Sequence, residues 1–105
     1  MAIFDLLNYY QDLSPEAKTV ARERVLAFEE EQYKSAVTRL KRIAVSNIHI
    51  LINNPYHIRS ITNHLQTIRK YQQAPLYQVE RWLIENLCMF DAAGRYYLFS
   101  QQSFY

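Results

Sequence analysis

The sequence predicts a mainly helical domain of the α+β class, a bundle of four to five helices closed by a C-terminal β-hairpin. Apolar residues recur at spacings of three and four through most of the chain, as one face of an α-helix requires. Prolines stand at 15 and 55, each positioned to open a helix, and at 75, in a short turn before another. The single glycine, Gly94, separates two short apolar runs near the C-terminus. Half of the 105 residues are hydrophobic and Gly and Pro together number four, the composition of a packed chain rather than a linker. One domain over residues 1–105 is expected, with a helical part at 1–53 and a helix–turn–helix plus hairpin at 54–105.

Residues 2–11 read as a short helix, because Ile3, Leu6, Leu7 and Tyr10 fall on one face. Ser14 then suits a helix N-cap, Pro15 the first helical position, where its missing N–H costs nothing, and Glu16 the positive end of the dipole. Ala17, Val20 or Ala21, Val25 and Phe28 continue a stripe that resumes after Glu29-Glu30-Glu31 with Tyr33, Val37, Leu40, Ala44 and Ile48. Neither Gly nor Pro interrupts residues 16–53, so this stretch is one long helix or two, with a break near Glu31 or at Val45-Ser46-Asn47; ordinary helix lengths favour the break. The run from Ile48 to Ile52 is β-branched enough for a short strand.

Asn54-Pro55 restarts a helix that runs to about Tyr71, with Ile58, Ile61, Leu65 and Ile68 inward and Arg59, Asn63, Gln66 and Arg69 outward. After a turn at residues 72–75, a further helix from Leu76 carries Leu76, Val79, Leu83 and Leu87 inward. From Cys88 the period changes. Asp91-Ala92-Ala93-Gly94 parts Cys88-Met89-Phe90 from the strand-forming run at 95–99, and a glycine with positive φ at the end of such a turn predicts a hairpin over 88–99.

Charge is unevenly distributed. Residues 1–31 hold seven acids against three bases, net −4, and residues 32–105 hold nine bases against three acids, net +6. A basic segment suits a polyanionic partner, whose condensed counterions Lys and Arg displace. His57 and His64 are seven apart, not three or four, so no metal or other cofactor is expected. Cys88 is alone, and no Ser-His-Asp, Cys-His, glycine-rich phosphate loop or paired-carboxylate pattern is present; an enzyme is not expected. The N-terminal residues do not read as a secretory signal and no apolar run matches a bilayer, so the expectation is a cytoplasmic chain without a membrane partner.

Residues 57–99 read helix, short turn, helix, hairpin. The stretch from Pro75 to Phe99, PLYQVERWLIENLCMFDAAGRYYLF, resembles the second half of a winged-helix DNA-binding domain. It departs from that family in the length of the preceding helix and in a turn without glycine. The resemblance implies a winged-helix-like C-terminal half whose recognition helix presents Tyr77, Gln78 and Arg81, with Arg95 on the wing and Arg59, Arg69 and Lys70 contacting phosphates. Gln and Arg can bond adenine and guanine edges bidentately. The function so implied is a small nucleic-acid-binding regulator with duplex DNA as partner. The alternative is a helical protein-interaction module, such as an inhibitor, adaptor or immunity-type protein, that binds no nucleic acid. In either case the acidic N-terminal helices are available for a protein partner or a homodimer.

Overall fold

A computed structural model describes residues 3–46 and 55–105. Among these residues there are three α-helices, α1 (Pro15–Ser46), α2 (Pro55–Gln73) and α3 (Leu76–Glu85). Four two-residue strands, β1 (Asn8–Tyr9), β2 (Met89–Phe90), β3 (Tyr97–Leu98) and β4 (Ser103–Phe104), form two antiparallel pairs, β1 with β2 and β3 with β4. The mainly helical class is as expected, but the described residues hold three α-helices, not four or five. The acidic triplet at 29–31 does not break α1, and the segment at 2–11 is not an α-helix but 3₁₀ turns at Ile3–Leu6 and Tyr10–Asp12 flanking β1. The run Ile48–Ile52 and the cap residue Asn54 lie outside the described residues. No described helix is long and apolar enough to cross a membrane.

The chain packs as two compact units, one of Met1–Ala27 with Ala74–Tyr105 and one of Phe28–Gln73. In the first unit, α1 begins as its sequence dictates. The Ser14 hydroxyl oxygen accepts the Ala17 N–H at 3.2 Å and the Ser14 carbonyl accepts the Lys18 N–H at 2.8 Å, satisfying donors that a helix start leaves open. Ala17, Ala21 and Val25, four apart, are all buried.

On α3 the same spacing buries Val79 and Leu83, but Leu76 and Leu87, expected inward with them, are 55% and 65% exposed. Leu76 opens the helix and Leu87 lies beyond its end. The last carbonyls of α3 are closed by two bonds, from the Leu87 N–H to Ile84 and from the Cys88 N–H to Leu83, each 3.1 Å. That closure requires a left-handed residue at its pivot. Leu87 takes it, at φ +54, and its side chain turns out of the core.

The turn after β2 is built by Asp91. Its backbone carbonyl accepts the Gly94 N–H at 3.0 Å and its carboxylate accepts the N–H groups of Ala93 and Arg95 at 3.1 and 2.8 Å. Gly94 has φ +91, as predicted for this position, and is itself buried: a Cβ there would stand 2.3 Å from the Ala17 carbonyl oxygen. Glycine is thus required twice, once for its dihedral and once because the turn rests on the α1 backbone. The expected hairpin over 88–99 is corrected in one respect. Only a single bridge, Phe90 to Tyr96, joins its two arms; β2 spends its ladder on β1, and β3 pairs instead with β4. The latter pair closes through Gln102 at φ +51, in a turn with no glycine to announce it.

Tyr10 joins these pieces. Only 1% of it is exposed, and its ring meets Phe90 edge-on with centroids 6.2 Å apart. Its hydroxyl donates to Glu80 Oε2 of α3 at 2.6 Å and accepts from Arg22 Nη1 of α1 at 2.7 Å. One side chain therefore ties the N-terminal segment, α1, α3 and β2 together. Burial first, and the bond to Glu80 second, raise the Tyr10 hydroxyl above the ordinary tyrosine pKa of 10.0, with Arg22 opposing.

In the second unit, Ala36 of α1 and Ile68 of α2 are buried, with Ile61 and Leu65 half-buried beside them. His64 Nδ1 and Glu29 Oε2, 2.9 Å apart and both largely shielded, link α2 to α1. Glu29 thus has a partner across the pair, and the triplet itself suits a helix, since Glu is a good helix former.

Two outcomes are expected. Gly94→Ala should lower stability by about 2–4 kcal/mol in a urea titration, from a strained dihedral added to overpacking. Tyr10→Phe should cost about 1.5–3 kcal/mol, because both partners of the lost hydroxyl are charged. The folded chain holds the Tyr10 proton where the unfolded chain releases it, so this contribution is complete below the ordinary value of 10.0 and is lost as pH rises through the higher folded value. Urea titrations above about pH 10 should therefore show wild type losing stability more steeply than Tyr10→Phe.

Candidate nucleic-acid interface

The residues proposed from sequence fall into two sets on different units. Tyr77, Gln78 and Arg81 are together on α3, all exposed, as an amphipathic helix with Val79 and Leu83 inward must leave them. Gln78 Nε2 donates to the Tyr77 hydroxyl at 3.2 Å. Arg81 Nε donates to Glu85 Oε1, one turn on, at 2.8 Å. Beside this face lies a cleft of about 390 Å³ whose walls include Lys18, Tyr77, Glu80, Arg81 and Glu85, so two carboxylates meet two cations there. Arg95 is held as well. Its Nε donates to the Asp91 carboxylate and its guanidinium lies 4.9 Å from the centre of the Phe104 ring. Both arginines of the α3 and turn region thus have a carboxylate partner, which offsets the charge a phosphate would meet.

Arg59, Arg69 and Lys70 belong to α2, and all three are exposed. Among the described residues no carboxylate pairs with any of them. The charge of the two units is opposite in sign. The first carries seven acids and five bases, net −2; the second carries three acids, all at 29–31, and seven bases, net +4. Residues 32–79 contain no Asp or Glu at all, and α2 lies wholly within that stretch.

The outward face of α2 is ordered by its spacing. Arg59, Asn63, Gln66 and Lys70 stand at i, i+4, i+7 and i+11, which keeps them within roughly 60° of one line along the helix. Ile68, buried, lies nine residues from Arg59 and so half a turn round, opposite this line. All four stripe residues are exposed. Arg59 and Asn63 also line, with Ser60 and His64, a hollow of about 270 Å³. Arg69 flanks the stripe on one side. Asn63 and Gln66 read from sequence as merely outward; the signal that marks them is the absence of acids around them.

Elsewhere there is little for chemistry to use. Cys88 is buried, and burial pushes its thiol upward in pKa despite a hydrogen bond with Tyr96 that opposes the shift, so it stays protonated at neutral pH. Among the described residues no three His, Cys, Asp or Glu side chains gather as metal ligands would. No family model matches the chain, and no curated protein or solved structure matches it either.

Proposed function

We propose that the protein binds nucleic acid, duplex DNA in the first instance, through the outward face of α2. The observation that carries this reading is a 19-residue helix whose exposed face holds Arg59, Arg69 and Lys70 and whose sequence holds no acid. Each cation that meets a phosphate releases condensed counterions, and with no carboxylate on the helix nothing there repels the backbone. The winged-helix resemblance would assign the reading helix to α3. Two features favour α2 instead: the unit that carries α3 is net acidic, and Arg81 and Arg95 each bond a carboxylate.

A second reading, a protein-interaction module, is favoured by the apolar side chains around α3, where Leu76, Tyr77 and Leu87 are each more than half exposed. Exposed aromatic and aliphatic groups of that kind are common at interfaces.

A polarisation titration with a labelled duplex decides between them. Three phosphate contacts give a log–log salt slope of about −2.7, a loss of roughly 40-fold in affinity between about 50 and 200 mM salt. Arg59→Ala and Lys70→Ala should each flatten that slope by about one, while Arg81→Ala leaves it unchanged. Absence of binding at the low-salt end, or equal damage from Arg81→Ala, would sink the assignment to α2; the first result would direct attention to the α3 face.

A further inference from the structure

We infer that α2 reads base edges in the major groove of B-form DNA through Asn63 and Gln66, with a preference for adenine. The inference rests on the proposed nucleic-acid reading and goes beyond it, because phosphate contacts alone carry no sequence information.

The stripe has cations at its ends and amides at its centre. Arg59 and Lys70, eleven residues apart, are separated by about 16 Å along the helix, and the major groove is about 12 Å wide. Two long, flexible basic side chains at that separation reach the phosphate rims while the helix body lies in the groove. Asn63 and Gln66 are three residues apart, about 4.5 Å along the axis, close to the spacing of about 3.4 Å between successive base pairs. Each carboxamide offers one acceptor and a donor pair, the complement of the N6 donor and N7 acceptor that adenine shows in this groove.

Between the two cations, the Thr62 and Thr67 hydroxyls donate back to the carbonyls of Ile58 and Asn63, each at 2.9 Å, while Asn63 and Gln66 are the carboxamides on the stripe itself. Ile58, 49% exposed, lies beside Arg69 on the flank of the helix, about a quarter turn or more from the stripe. No Asp or Glu on α2 is present to accept from cytosine N4.

The test starts from selection of duplexes out of a random pool with the whole chain, followed by titration of the selected duplex and a scrambled one at fixed salt. The expected result is a site with adenines at one or two neighbouring positions. Asn63→Ala and Gln66→Ala should each relax the preference at one position by roughly 5- to 150-fold and leave scrambled-duplex affinity and salt slope as in wild type. Replacing the selected adenine by 7-deazaadenine, which lacks the N7 acceptor, should weaken wild type and leave the matching Ala variant unaffected. The inference fails if no sequence is enriched while salt-sensitive binding persists, or if duplex RNA of the same sequence, whose deep narrow major groove excludes a helix, binds equally well. It fails too if Gln78→Ala, not Asn63→Ala or Gln66→Ala, abolishes the preference. Loss of all salt-sensitive binding is a different result, and would overturn the proposed function itself.

Discussion

The first unit depends on one hydroxyl. Tyr10 stands where three backbone segments converge, and its oxygen reaches both α1 and α3 from the N-terminal segment, by way of Arg22 and Glu80. A carboxylate and a guanidinium brought into a shielded site without it would have to be satisfied by some other means. With it, the acid accepts, the base donates, and the phenol stays neutral between them. The apolar packing around the ring, against Phe90 and under the Lys18 ammonium 5.6 Å above it, is possible because the polar end of the side chain is already satisfied.

A second close approach complements it. The 91–94 turn settles onto the α1 backbone at Ala17, beside the Val20 Cβ, and only glycine at 94 allows that distance. Asp91 then organises the turn and, through the same carboxylate, fixes Arg95 over Phe104. The aromatic run at 96–105 becomes a small sheet with Tyr97 between Phe99 and Phe104, not a free wing extending from a helix.

Local chemistry was legible in the sequence and long-range pairing was not. The Ser14-Pro15 helix start and the positive φ of Gly94 follow from the stereochemistry of single residues, and both are present. The strand at Asn8–Tyr9 has two residues and a partner 80 or more positions away, so no periodicity within a window reveals it. Leu87 misled because the stripe Leu83–Leu87 is helical in spacing; the helix ends at Glu85, and a left-handed residue at 87 reverses the direction of its side chain. The acidic triplet, one of the places where the sequence allows a break, lies within α1, and Glu29 there pairs with His64. At the candidate site, exposure of Tyr77, Gln78 and Arg81 could be read from amphipathicity. The Arg81–Glu85 pair follows from a helix that persists through 85 and the Arg95–Asp91 pair from the tight turn at 91–94, both expected from sequence, although the side-chain partners themselves are seen only in the structure.

The distribution of acids is itself a physical argument about α2. Helices gain roughly 0.3–1 kcal/mol from an acid near the N-terminus, and α1 takes it with Glu16. Further support of a few tenths of a kcal/mol comes from each Glu–Lys pair one turn apart. α2 takes neither: its first turn has no acid, Arg59 stands near the positive end of the dipole, and no carboxylate on the helix spaces its cations. Only Lys70, in the last turn, agrees with the dipole. Stability alone gives no reason for this composition, since any one of several exposed polar positions would accept Glu without disturbing the buried face around Ile68. Under the proposed reading a polyanion would supply the reason: phosphates beside Arg59 and Lys70 would provide from outside the negative charge the helix omits, and by mass action a ligand that binds the folded helix pair preferentially would also stabilise it. The interactions α2 lacks in isolation are thus those that a nucleic-acid partner would complete.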